Sequence, residues 1–394
     1  MMNIKTNLTY KTGILLAFTF FLSLTAFAQN EALKKKIQAT LDSLCKTGKF
    51  PGLNAGVVLP DNTVMGFASG MADSVHHIPM TPESYMMQGS VGKTYVSAIA
   101  MLLVKEGKFS LNDKVSKYLG HYEWYSKLPN APDITIRMLM NHTSGIMRYE
   151  LKDEFTRDLT ANPAKVWKPE EELSYVFNEK PGFKAGEGWD YADTNYIILA
   201  MIMEQVTGEK YYDMLRKRIL KPYHLAETLP SDKRKLKGLV QGYAGDDNPF
   251  GGKPEVIADN GEFIINPQFE WTGGGIYSTS RDLAKWGKML YEGKVFDPAM
   301  LHVMEDDAVL APMLGKTTKY GLGVIVRESP KFGTYYGHSG FFPGYMTEMC
   351  YFPRYQMAFA IQTNSSDFKS LKVYLLRALL DIANAAFEEQ QHAK

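Results

Sequence analysis

Gly89-Ser90-Val91-Gly92-Lys93-Thr94 opens a run from Tyr95 to Val104 that carries no charge and is closed by Lys105, Glu106 and Gly107. A helix over residues 90–106 that is apolar on nearly every side belongs in the interior of a molecule, so the residues at its mouth are held at depth. Two chemistries compete for them. Gly92-Lys93-Thr94 matches the tail of a phosphate-binding loop, but such a loop also needs a glycine five residues earlier, where this chain has Met87. The other is Ser-x-x-Lys. At that spacing on a helix, Ser90 and Lys93 share a face one turn apart. A serine hydroxyl becomes a good nucleophile when a base takes its proton, and a lysine can be that base if burial and positive neighbours lower its pKa. The start of a helix adds free N–H groups and the positive dipole end for a developing oxyanion. By itself the pattern also fits an N-cap serine beside a surface lysine.

Working outward, Trp189-Asp190-Tyr191-Ala192-Asp193-Thr194-Asn195-Tyr196 opens a second helix, and Tyr335-Tyr336-Gly337-His338-Ser339-Gly340 ends a strand. In chain order, Ser-x-x-Lys, Tyr-x-Asp and His-x-Gly resemble the three signatures of the penicillin-recognising serine hydrolases. The branch most similar holds class C β-lactamases, serine D-Ala-D-Ala carboxypeptidases, D-aminopeptidases and related esterases. Further points of resemblance spread it over nearly the whole chain after residue 28. They are Met138-Leu139-Met140-Asn141-His142-Thr143-Ser144-Gly145, Gly273-Gly274-Gly275 leading to Asp282-Leu283-Ala284, Tyr320-Gly321-Leu322-Gly323, and Pro343-Gly344.

The resemblance implies an α+β fold of the β-lactamase/transpeptidase type: an antiparallel sheet flanked by helices, with an inserted all-helical domain. It implies that Ser90 forms an acyl-enzyme, that Lys93 and Tyr191 share the base's work, and that the backbone N–H groups of Ser90 and Phe341 form the oxyanion hole. Asp193, His338, Ser339, Gly340, Ile325 and Arg327 are the implied substrate-binding positions, with Gly340 leaving room for the substrate backbone. Three of these depart from the family pattern. His338 stands where class C β-lactamases carry lysine, as in the carboxypeptidase and D-aminopeptidase branch, and its charge at neutral pH is conditional. Asp193 stands where asparagine is usual. An ionised carboxylate cannot donate to a substrate carbonyl, so Asp193 suits a hydroxyl or cationic group, or anchors Lys93. Ile325 stands where carboxypeptidase relatives place an arginine, and Arg327, two residues along the same strand face, can substitute. Each departure weakens the hold on a penicillin-like acid amide, so at most weak β-lactamase activity is expected.

The rest of the sequence bounds this reading. The chain has 394 residues, 45% hydrophobic and 22% charged, ordinary globular material of two or three domains. Its 44 Lys+Arg against 43 Asp+Glu offer no field to gather nucleic acid or an anionic membrane. Residues 1–28, with Lys5 and Lys11, an uncharged run from Gly13 to Phe27 and Ala26-Phe27-Ala28, have the layout of a secretory signal peptide. An uncleaved anchor is the alternative reading, and the apolar run is short of the roughly twenty residues that span a bilayer. The expected protein is exported, periplasmic or extracellular, without stable membrane insertion once the leader is cut. Export permits a disulfide, but Cys45 and Cys350, the only cysteines, read as buried free thiols. No His-Glu-x-x-His or other ligand spacing accompanies His76, His77 or His142, so no metal and no cofactor is expected; His142 reads as fixing the turn over 141–145.

Periodicity divides the mature chain into 29–107, the first part of a sheet domain ending in the Ser90 helix; 108–261, mainly helical; and 262–394, the rest of the sheet domain. Leu33, Ile37, Leu41 and Leu44 recur at helical spacing, so residues 31–46 read as an amphipathic helix. Residues 320–326 and 333–337 read as short strands, and 366–387 as a closing helix with Ser366 and Asp367 as caps. The functional expectation is a secreted serine hydrolase acting on a small-molecule or peptide ester or amide. Esterase, acyl-transfer and D-amino-acid peptide chemistry all fit. A penicillin-binding sensor without turnover, or a wall scaffold, are the readings from other classes.

Overall fold

The computed structural model describes residues 30–246, 248–306 and 308–392. The leader read in residues 1–28 lies outside them. Among the described residues no helix is long and apolar enough to cross a membrane.

The strands, in chain order, are β1 (Gly52–Val58), β2 (Val64–Asp73), β3 (Ile78–Pro79), β4 (Met86–Met87), β5 (Thr228–Pro230) and β6 (Ile276–Ser278). They continue with β7 (Val309–Leu310), β8 (Lys319–Tyr320), β9 (Ile325–Ser329), β10 (Gly333–Phe342), β11 (Tyr345–Phe352) and β12 (Met357–Thr363). Nine of them form one antiparallel sheet in the order β3-β2-β1-β12-β11-β10-β9-β8-β7. The two ends of the chain meet at its centre, where Leu53 of β1 lies opposite Thr363 of β12. This is the α+β arrangement expected, one sheet built from both ends. Between Ser90 and β6 the described chain adds no strand to it; β5 joins β4 and β6 in a small three-stranded sheet.

Five helices frame the site: α1 (30–48), α2 (Lys93–Lys105), α3 (Asp193–Thr207), α4 (Ser280–Tyr291) and α5 (Leu375–His392). Leu33, Ile37 and Leu41 of α1 repeat at helical spacing and pack with Leu379, Ile382 and Phe387 of α5 over Leu53, Phe67 and Phe359 of the sheet. Each such buried side chain contributes about 1.5–3 kcal/mol. On the opposite face α4 crosses β1 and β12 closely, because a Cβ at Gly56 would fall 2.1 Å from the Ser280 carbonyl oxygen. Trp286 of α4 stacks on Tyr95 of α2 with centroids 4.3 Å apart and donates to Thr94 at 2.8 Å. That clamps α2 between α4 and α3, in the interior, as its all-round apolar surface requires.

Three local expectations change. The strand expected over 320–326 is two strands, because Gly321-Leu322-Gly323 turns: the Gly321 N–H donates to the Val324 carbonyl at 2.8 Å and Gly323 takes a φ of 78°. β10 continues past Gly337 to Phe342 and so carries His338-Ser339-Gly340 within the sheet. The last helix begins at Leu375 and not at Ser366. Ser366 instead accepts from the Gly344 N–H at 2.9 Å, and Asp367 accepts from the N–H groups of Lys369 and Ser370, closing a turn.

Candidate active site

Gly89–Gly92 form a tight turn ahead of α2. Gly89 takes a φ of 52°, and a Cβ there would lie 2.6 Å from the Phe341 nitrogen and 2.5 Å from its oxygen. Only glycine lets the turn press this closely on β10, which brings the backbone N–H groups of Ser90 and Phe341 to one place. β10 pairs with β9 no further than Gly337 opposite Ile325, so residues 338–342 present an edge that no strand covers beside the turn. Gly340 serves a different purpose from the one expected of it. Its Cβ would lie 1.9 Å from the Gln88 carbonyl oxygen, so the small residue seats the turn on the strand and does not clear space for a substrate. Gly273-Gly274-Gly275 form the opposite wall, since a Cβ at Gly92 would fall 2.0 Å from the Gly274 carbonyl oxygen. Trp271, at a φ of 34°, holds a conformation rare for a bulky residue at the entry to that wall.

Lys93 is fully buried, and its Nζ donates to Ser90 Oγ at 3.1 Å, to Asp193 Oδ1 at 2.5 Å and to the Gly273 carbonyl. Three acceptors match the three protons of an ammonium. Burial alone would pull its pKa down, but Asp193 and Tyr191 together outweigh burial and hold it above the usual lysine range. Asp193 is therefore the anchor of Lys93. Tyr191 lies with its ring 4.8 Å from Nζ, and its buried hydroxyl faces Lys93 and Ser90 without a well-formed hydrogen bond to either. Burial raises this phenol, Lys93 opposes the rise and Asp193 adds to it, so Tyr191 rests protonated.

The residues that hold Tyr191 were only partly visible in the sequence. His142, at a φ of 61°, takes the N–H groups on either side of it: the Asp190 N–H donates to the His142 carbonyl at 3.2 Å and the Ala192 N–H to its Nδ1 at 3.3 Å. Its ring lies 4.2 Å from that of Tyr191, and burial keeps it neutral, well below the ordinary histidine range. His142 thus fixes the Tyr191 turn rather than the 141–145 turn alone. Arg148 sits 5.8 Å over the Tyr191 ring and pairs with half-buried Glu150 at 2.9 Å. Nothing in the spacing of Arg148 and Glu150 marks them in advance.

The remaining expected positions separate. His338 is buried, pushed down to about 3 by burial and by Lys93. Its Nδ1 faces the Ser339 carbonyl at 2.6 Å, so Nδ1 carries the proton and Nε2 accepts from Tyr320 Oη at 2.9 Å. Both ring nitrogens are spent inside the protein, and His338 is neutral across physiological pH rather than conditionally charged. Ile325 packs with Tyr191 and Tyr320 as an apolar wall. Arg327 is buried and donates from Nη2 to Ser339 Oγ at 2.9 Å. Phe341 is exposed and stacks on Phe368 with centroids 5.8 Å apart. Cys45 and Cys350 are both buried free thiols. Among the described residues no cluster of three His, Cys, Asp or Glu could hold a metal.

One consequence is measurable directly. Asp193 raises both Lys93 and Tyr191, so Asp193→Asn lowers both, and an activity that rises as Tyr191 deprotonates is expected to rise at lower pH. The variant also loses about 3–5 kcal/mol of stability, the usual result of stripping a buried charge of its partner. A pH–rate profile identical to that of the parent protein would mean that Asp193 does not govern these protons.

A family model described as Beta-lactamase matches residues 33–384. Penicillin-binding protein 4* of Bacillus subtilis is 24% identical over 88% of this chain and 75% of its own length. The teichoic acid D-alanine hydrolase of Staphylococcus aureus is 25% identical over 62% of this chain, which spans 56% of that protein. The D-amino acid amidase of Ochrobactrum anthropi SV3, in a crystal structure with L-phenylalanine, superposes with a TM-score of 0.76, at 24% identity, over 91% of this chain and 99% of that one.

Proposed function

The chain belongs to the β-lactamase family of serine hydrolases, and on that premise we propose that it cleaves esters or amides of D-amino acids through an acyl-enzyme on Ser90. The observation that carries the reading is the contact of Lys93 Nζ with Ser90 Oγ at 3.1 Å, beside the buried hydroxyl of Tyr191. The D-amino acid part rests on the names of two relatives, the teichoic acid D-alanine hydrolase and the D-amino acid amidase. The leader read in residues 1–28 supports export, where D-alanine chemistry of cell walls is found.

In this reading Lys93 stays an ammonium throughout, because its three acceptors, the Asp193 carboxylate above all, favour that form, and Tyr191 is the group that gives and takes the proton. The reactive form is the one in which Tyr191 has lost its proton to solvent; that phenolate removes the Ser90 proton while Oγ attacks the carbonyl carbon. The negative charge on the carbonyl oxygen is met by the N–H groups of Ser90 and Phe341. As the intermediate collapses, the bond to the leaving nitrogen or oxygen breaks and Tyr191 hands it the proton. Water then attacks the ester on Ser90, loses a proton to Tyr191, and the acid leaves as Ser90 Oγ takes that proton back. His338, neutral and enclosed, supplies no cation for the carboxylate of a penicillin, which supports a poor β-lactamase.

Intact-protein mass spectrometry tests the reading with D-alanine methyl ester, D-alaninamide, their L counterparts and benzylpenicillin, with free product followed in the same tubes. Turnover of the D substrates over the L ones is expected, with a persistent penicillin adduct. A penicillin adduct with no turnover of any ester or amide would make this a sensor; no adduct of any kind would refute the mechanism.

A further inference from the structure

Glu348 of β11 lies directly opposite Ser339 of β10, and the two share a short chain of hydrogen bonds that the catalytic steps above do not use. Arg327 Nη2 donates to Ser339 Oγ at 2.9 Å, and Ser339 Oγ donates to Glu348 Oε2 at 2.9 Å. The direction of the first bond is forced, because a guanidinium has no acceptor. The direction of the second follows when Glu348 is ionised, because a carboxylate only accepts. The hydroxyl has one proton and two lone pairs, so it is left with a lone pair and nothing to donate. Arg327 cannot make up the difference: its Nε and Nη1 are sealed from solvent without partners.

Ser339 lies on the uncovered edge of β10, two residues before Phe341, about 7 Å along the strand from the oxyanion-hole nitrogen. Tyr191, which protonates the leaving atom, packs toward this same end of the edge, with Ile325 and 6.3 Å from the ring of His338. The leaving group of a substrate laid along the edge therefore passes over Ser339.

We propose that Glu348 sets the leaving-group preference of this site. By taking the Ser339 proton, it makes the subsite accept a leaving group that ends in a hydrogen-bond donor, such as a primary amide, over one that ends in a carboxylate. This rests on Ser90 as the nucleophile. The other charged and titratable groups about Glu348 are Arg327 on β9, Tyr335 on β10 and Cys350 on its own strand. Burial pushes the Tyr335 phenol and the Cys350 thiol up to about 12, so neither changes charge near neutrality. Burial pushes the Glu348 carboxyl up to about 7 against the pull of Arg327. Once protonated, Glu348 donates to Ser339, which frees the serine proton for a substrate carboxylate.

The test uses two N-acetyl-D-alanyl esters that differ only in whether the leaving alcohol is D-lactate or D-lactamide. The wild-type ratio of kcat/KM should favour the lactamide ester, and the preference should grow between pH 6 and 8.5. Glu348→Gln, whose amide N–H donates to Ser339, should move the ratio toward the lactate ester by roughly 10- to 100-fold and remove its pH dependence. Because the ratio is taken within one enzyme, the ionisation of Tyr191 cancels from it. A folded Glu348→Gln variant with the parent ratio would overturn the proposal, as would a wild-type ratio that stays flat across this pH range should the variant not fold. Absence of Ser90-dependent turnover of both esters would instead remove the catalytic reading on which it stands.

Discussion

Ser90→Ala is expected to abolish covalent labelling by every substrate and by benzylpenicillin, and to reduce kcat by about four to six orders of magnitude. The alanine leaves the fold alone, because the serine side chain makes a single hydrogen bond, from Lys93, and lies on a turn held by backbone contacts at Gly89 and Gly92. Lys93 keeps Asp193 and the Gly273 carbonyl as acceptors, so no charge is left bare. What remains of the rate is expected to come from the backbone N–H groups of residue 90 and Phe341, the proposed oxyanion hole, which would bind a tetrahedral oxyanion whichever nucleophile produced it. Intact mass and product formation read the first effect, and an unchanged thermal midpoint reads the second. Full activity in a folded Ser90→Ala protein would place the chemistry elsewhere.

Tyr191→Phe carries the next largest effect, a loss of roughly 10²- to 10⁴-fold in kcat, the range for removing a general acid–base. The phenylalanine keeps the ring against His142 at 4.2 Å and Lys93 at 4.8 Å, so the loss belongs to the hydroxyl. That hydroxyl is buried and faces Lys93 and Ser90 without a well-formed hydrogen bond; a group in that state costs stability, and its removal should leave the variant as stable as the parent or up to about 1 kcal/mol more stable. A site that gains stability as it loses activity is one whose polar group is kept for chemistry. The alkaline rise in kcat/KM should disappear in the same variant. Near-parental rates, with the rise intact, would return the role of base to Lys93.

These two expectations divide along the line between what is local in the chain and what is not. The interior placement of α2 and the amphipathic α1 were legible because each depends on neighbours within a few residues: an unbroken apolar run and a helical repeat of leucines. The helix expected from residue 90 begins instead at Lys93, and Ser90 lies on the turn ahead of it. The meeting of the chain ends in one sheet followed from the order of strand-like and helix-like segments. The limits of β10 and α5 were not legible. Whether His338-Ser339-Gly340 ends a strand or runs on within it depends on pairing with β11, and Ser366 and Asp367 resemble a helix cap until Gly344 claims one of them.

The proton states at the site were beyond the sequence. Lys93 and Tyr191 appear there as candidates for the base, and only the convergence of Asp193 and Gly273, each far away in the chain, makes Lys93 an ammonium, which is the ground for proposing Tyr191 as the proton carrier. His338 was legible as a departure from lysine, while its neutrality comes from burial and from the nearby charge of Lys93. The sequence by itself determined which side chains stand at the mouth of the buried helix and in what order the chain reaches them, since spacing and apolar pattern act over short range. Tertiary structure alone decided which of them hold protons, and which residues, like His142 beside Tyr191 and Glu348 beside Ser339, stand against them, because burial and Coulomb interactions depend on distance through space.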